Sequence, residues 1–147
     1  IMNGLDDNYQ TELFINLIKK VEALSGQKYA QDSNLDKSMR IICDHLKAAT
    51  FIIGDDKGIA PSNTDQGYVV RRLMRRAIRY GRSLGIKQET WIASLAEQVI
   101  TDYENVYPEL KRNKQFILDN FNKEVFSIKP DYDKVLRICK KWVKIKS

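Results

Sequence analysis

Between Gln66 and Gln88 the chain carries six arginines, one lysine and no acidic residue. The arginines stand at Arg71, Arg72, Arg75, Arg76, Arg79 and Arg82. Val69, Val70, Leu73, Met74, Ala77, Ile78, Tyr80 and Leu84 are interleaved with them. An α-helix, at about 100° per residue, gathers all six guanidinium groups into an arc of about 140° and turns the apolar residues to the other side. A strand would scatter both sets over both faces. The spacing therefore predicts a helix from about Gly67 to Leu84, ended by Gly85, that packs by one side and presents an arginine ridge on the other.

The same period recurs along the chain. Leu13, Phe14, Leu17, Ile18, Val21 and Leu24 predict a helix over Thr11 to Leu24, stopped by Ser25-Gly26. After a polar loop over Gln27 to Ser33, a second helix capped by Ser33 or Asn34 runs to about Ile53 through Leu35, Met39, Ile42, Cys43, Leu46, Ala49 and Phe51. Gly54 to Gly67 is the longest irregular stretch, rich in turn formers. A fourth helix is predicted over Gln88 to Tyr103. Pro108 suits the first turn of a fifth that reaches about Phe126, and Pro130 that of a sixth carrying Val135, Leu136, Ile138, Cys139, Trp142 and Val143. Strand signals are weak. The expectation is all-α: residues 1–147 form a single helical bundle of five or six helices, and 147 residues suffice to bury about two thirds of the surface without staples.

Charge narrows the possible partners. Of 25 basic and 19 acidic residues, the Gln66–Gln88 segment and the tail from Lys134 hold 13 basic and no acidic ones. The remainder holds 12 basic against 19 acidic, so an acidic body carries two basic segments. That pattern points to a polyanion, nucleic acid first. Other classes recede. Apolar runs are too short to span a bilayer, and the first residues carry neither the basic region nor the apolar core of a leader. Cys43 and Cys139 do not make a disulfide scaffold; both are expected to pack. Two cysteines and the single His45 are too few for most structural zinc sites, so no metal is expected. Asp44 and His45 are neighbours on one helix and cannot face each other as a dyad.

The ridge has two readings. It is either a solvated face held by ion pairs with neighbouring helices or an anion-binding surface. The segment has no acid of its own to relieve repulsion at i, i+4, and arginine forks suit phosphate oxygens. The second reading is therefore preferred. Pro61-Ser62-Asn63-Thr64-Asp65 places small polar side chains beside the helix N-terminus, where free backbone N–H groups favour anions. Asn63 is either a cap or turn residue or a base-edge contact, since a carboxamide both donates and accepts. Gly67 permits a tight turn or close packing, and Tyr68 and Tyr80 are expected in the core.

Pro61-Ser62-Asn63 followed by Gly67-Tyr68-Val69-Val70-Arg71-Arg72-Leu73-Met74-Arg75-Arg76-Ala77-Ile78-Arg79-Tyr80-Gly81 closely resembles the signature of alanyl-tRNA synthetases. Arg40-Ile41-Ile42-Cys43-Asp44-His45-Leu46-Lys47-Ala48 is similar to the helix before that signature. Asn8-Tyr9-Gln10-Thr11-Glu12-Leu13-Phe14 resembles the segment that follows the last catalytic motif. The resemblance implies the helical tRNA-recognition domain between the catalytic and editing domains of a class II alanine–tRNA ligase, a cytoplasmic enzyme of protein biosynthesis. In that family the domain grips the acceptor stem of tRNA-Ala, where a G·U wobble pair marks identity. Asn63 aligns with the residue that reads the pair. The ridge, Arg71, Arg72, Arg75, Arg76, Arg79 and Arg82, aligns with the helix lining the tRNA side. Because the deep major groove of RNA is closed to side chains, such readout must use the minor groove and shape.

The family's ATP and alanine bind a catalytic domain whose motifs are not found here, and the editing domain's metal site is not found either. The chain is expected to bind tRNA without cofactor and not to catalyse alone; its other partners would be the catalytic and editing domains. Departures are Gln66 where the family often has Arg, a longer Asp55-Asp56-Lys57-Gly58 turn, and no counterpart of a later Asp that also reads identity. Glu124 and Phe126 echo the next family segment, and the tail from Lys134 is unassigned. A different class of function remains beside this one: a helical interaction domain whose basic face docks an acidic protein surface.

Overall fold

The computed structural model describes residues 14–86 and 90–146. Six helices occur among them: α1 (Ile15–Ser25), α2 (Ser33–Gly54), α3 (Asp65–Ser83), α4 (Trp91–Tyr103), α5 (Pro108–Arg112) and α6 (Lys114–Lys146). No strand interrupts them in the described residues, as expected of an all-α chain. The predicted helix starts at Thr11 and Gln88, and the segment Asn8–Leu13, lie outside the described residues.

Local chemistry sets most boundaries. Gly26 closes α1 in the left-handed conformation, φ 72°, with its N–H donating to the Glu22 carbonyl. The cap of α2 is Asp32, one residue before the predicted Ser33 or Asn34. Its carboxylate accepts from the N–H groups of Asn34 (2.8 Å) and Leu35 (3.3 Å), a stronger acceptor in the required extended conformation. Ser33 is thereby the first residue of the helix.

Two predicted elements are corrected. The helix opened by Pro108 lasts five residues and stops at Asn113, whose side-chain amide donates to the Gly54 carbonyl (2.9 Å) and to Asp56 (3.1 Å). Arg112 adds an ion pair to Asp56 at 2.9 Å. These bonds tie the 54–58 turn to the α5–α6 junction and hold the Asp56 carboxyl below its ordinary value. Pro130 does not open a sixth helix; α6 runs through it from Lys114 to Lys146. A proline inside a helix removes one backbone bond, and here the turns on both sides carry the helix across it.

Helix α2 lies at the centre, packed chiefly on α3 and also on α1, α4, α5 and α6. Met39, Ile42, Leu46, Ala49 and Ile53 form its buried stripe. They meet Leu17, Ile18 and Val21 of α1, Val70, Met74, Ala77 and Ile78 of α3, Ile92, Leu95 and Val99 of α4, and Ile117 and Phe121 of α6 in one cluster. Cys43 lies in this core, where burial and Asp44 push its thiol well above the usual range. Cys139, expected to pack, is exposed. It lies on the outer half of α6 with Ile138, Trp142, Val143 and Ile145, all exposed; no other described helix covers that half. No described helix is long and apolar enough to cross a membrane.

The start of α4 closes on α3 at Gly81. A Cβ there would lie 2.6 Å from Trp91 Cη2. Alanine improves helix propensity by about 1 kcal/mol, yet pressing a methyl group into a fixed indole costs about 1–3 kcal/mol. Gly81→Ala is therefore expected to lower the urea unfolding midpoint.

Candidate nucleic-acid interface

The arginine helix exists as predicted, but its core side is rotated relative to the expectation. With Arg71 set at zero, the buried residues Ala77, Val70, Met74, Gly67 and Ile78 fall between about 240° and 340°. The arginine arc runs from zero to about 140°, so Arg71 and Arg82 stand against the core edge and Arg72 and Arg76 stand far from it. Val69, at about 160°, is 52% exposed rather than packed. Tyr68, at about 60°, lies among the arginines and is 48% exposed. It is not a core residue. The Arg72 guanidinium carbon sits 5.8 Å from its ring centroid, and Arg76 sits 5.9 Å from that of the half-buried Tyr80.

The inner edge of the ridge is paired. Glu124 of α6 is 3% exposed and takes Arg75 Nε at 2.9 Å and Arg71 Nε at 3.2 Å. No sequence-local acid could do this. The signal was Glu124 itself, a lone carboxylate on the apolar side of α6, one turn from Phe121 and beside Val125. The ion-pair reading thus holds for Arg71 and Arg75. Arg72, Arg76 and Arg79 are exposed along the outer edge, and Arg82 is partly buried.

Arg71 also reaches the loop before its helix. Its Nη1 donates to Asn63 Oδ1 at 2.6 Å and its Nη2 to the Pro61 carbonyl at 3.5 Å. Asn63 is exposed and does not cap α3; Thr64 occupies the cap position without a side-chain bond. The carboxamide is held by its oxygen, so its N–H donors are available to a ligand. Gly67 permits this arrangement. A Cβ there would collide with Ser62 Oγ and lie 2.6 Å from the Ala60 carbonyl oxygen. The Ser62 N–H donates to the Gly67 carbonyl at 3.0 Å, and the Ser62 hydroxyl to the Thr64 carbonyl at 3.0 Å. Asp65 accepts a positive φ of 51°, a conformation Asp tolerates better than most residues. The loop is therefore folded back onto the first turn of α3, with Asn63 beside the ridge. Gln66 is exposed and turned elsewhere, into a depression with Ile52, Asp55, Lys57 and Val69.

The surface offers a fixed carboxamide, exposed guanidinium groups and a tyrosine face. It suits a phosphate-rich ligand with polar edges. Among the described residues no three His, Cys, Asp or Glu side chains gather to hold a metal. Glu124→Gln removes a buried carboxylate from two arginines and is expected to cost about 1–3 kcal/mol in urea unfolding. Arg75→Gln, whose side chain is 44% exposed, is expected to cost under about 1 kcal/mol.

Comparison with known proteins identifies the family. The family model described as tRNA synthetases class II (A) matches residues 1–144. The chain is similar to the alanine–tRNA ligase of Borreliella afzelii, 41% identical over 143 residues (92% of this chain, 24% of that protein). It is 42% identical over 138 residues to the ligase of Desulfosudis oleivorans (94% and 15%) and 44% identical over 124 residues to that of Treponema pallidum (84% and 20%). It thus spans between 15% and 24% of the length of these relatives. The helical signature, its ordered loop and these matches together show that the chain belongs to the alanyl-tRNA synthetase family.

Proposed function

We propose that this chain is the tRNA-recognition domain of an alanine–tRNA ligase and binds the acceptor stem of tRNA-Ala, reading its G·U wobble pair. The observation that carries this reading is Asn63, held by Arg71 at 2.6 Å beside an exposed arginine edge instead of capping its helix. A carboxamide fixed by its oxygen can offer its N–H groups to acceptors on the shallow minor-groove face of an RNA stem. Arg72, Arg76 and Arg79 contact phosphates directly. Arg75 and Arg82 contribute from nearer the core, and Arg71 acts chiefly by positioning Asn63. These phosphate contacts set register and supply most of the affinity. ATP and alanine bind elsewhere in the longer protein, whose catalytic and editing domains are this domain's other partners, in the cytoplasm.

The test is a binding titration with an acceptor-stem hairpin carrying G·U against one carrying G·C, at two salt concentrations. Affinity for both is expected to fall steeply with salt. Arg76→Ala should weaken both hairpins alike and reduce the salt slope by about one. Asn63→Ala should erase the preference for G·U and leave the slope unchanged. Equal discrimination in Asn63→Ala would remove the base-reading role, and absence of binding at low salt would remove the reading altogether.

A further inference from the structure

The outer edge of the ridge borders a cavity of about 220 Å³ lined by His45, Arg72, Arg76, Val69 and Leu73. Its wall joins α2 to the part of α3 that faces away from Glu124. Two apolar side chains line it together with two guanidinium groups, each set against a tyrosine ring. Such fixing reduces the side-chain entropy lost when an anion is gripped. His45 Nδ1 is buried and has no hydrogen-bond partner among the described residues. A neutral imidazole offers one N–H donor and the imidazolium two, so the ring can donate to an anion in either state. None of these features is needed for Asn63 to reach a base pair.

We propose that this cavity is a phosphate site, in which Arg72, Arg76 and the His45 imidazole together hold one phosphate group. The inference goes beyond the reading of Asn63 and the ridge. It rests on that reading only for the identity of the phosphate as an RNA phosphodiester; a free phosphate is the same chemistry. The charges acting on the imidazole are Asp44 on its own helix and Arg76 of α3, with Arg72 in the same cavity wall. Burial first, then Arg76, lower His45 below the ordinary 6.5, while Asp44 opposes them. The folded chain therefore binds fewer protons at His45 than the unfolded chain. Its share of stability is present above the unfolded value and is lost as pH falls through the lowered folded value. An anion in the cavity acts in the opposite direction, because a negative charge beside the ring favours the imidazolium.

His45 is the only histidine in the chain, so its ring protons give an unambiguous NMR titration. The midpoint is expected below 6.5 in chloride. Inorganic phosphate at matched ionic strength should raise it by about 0.5 pH units or more. Arg72→Gln/Arg76→Gln, changing exposed side chains, should abolish the rise. An unmoved midpoint, or the same rise in the double variant, overturns the site. In the RNA arm, His45→Gln should weaken the acceptor-stem hairpin by about tenfold at pH 6 and by under about twofold at pH 8. A phosphate-dependent rise without hairpin binding keeps the anion site and removes the RNA assignment. Hairpin binding with no change at His45, in either phosphate or RNA, removes the site and leaves the function proposed above.

Discussion

One guanidinium ties the Asn63 loop and the arginine ridge to the fold. Arg71 takes the Glu124 carboxylate of α6 on its Nε and the Asn63 carboxamide and the Pro61 carbonyl on its terminal nitrogens. A planar, forked cation with five N–H donors serves three acceptors spread along its edges while its own geometry stays fixed. Glu124 is buried and is met there by two arginines, and removing either side of such a buried pair leaves the other uncompensated, so its two arginines and its place on α6 depend on each other. Through this link the exposed loop that carries Asn63 shares the rigidity of the helix core. Gly67 completes the arrangement by admitting the loop backbone where any side chain would exclude it.

The pairing also explains how the chain tolerates a helix segment with six arginines and no acid. Glu124 offsets the charge on the inner edge, and aromatic rings beside Arg72 and Arg76 order the outer edge without neutralising it. The unneutralised side is the one turned away from the core. Two of its guanidinium groups, those of Arg72 and Arg76, line the His45 cavity for which the phosphate site is proposed.

Much of this was legible in the residues. The helical class, the core stripes of α1 and α2, and the ridge follow from a 3.6-residue period that local geometry imposes. Asn63 and Gly67 were legible as a pair of readings each; the structure removes the helix cap for Asn63 and shows close packing at Gly67. What failed did so for physical reasons. Pro108 and Pro130 looked alike as helix openers, but tertiary bonds from Asn113 ended the first helix and neighbouring turns carried α6 across the second proline. Asp32 displaced Ser33 as a cap because a carboxylate was equally local and a stronger acceptor. Tyr68 looked like core because tyrosine often is; the buried stripe of α3 is narrower than the apolar spacing suggested and leaves Tyr68 outside.

The sequence by itself determined that six arginines share one helix face, since adjacent residues fix the helix and the helix fixes the angles. It could not determine which of them face solvent. That depended on the rotation of α3 about its own axis, set by the close approaches at Gly67 and Gly81 and by a carboxylate more than forty residues away. Long-range packing decides such a rotation, because burial of Val70, Met74 and Ala77 against α2 is worth more than the preference of any single charged side chain for water.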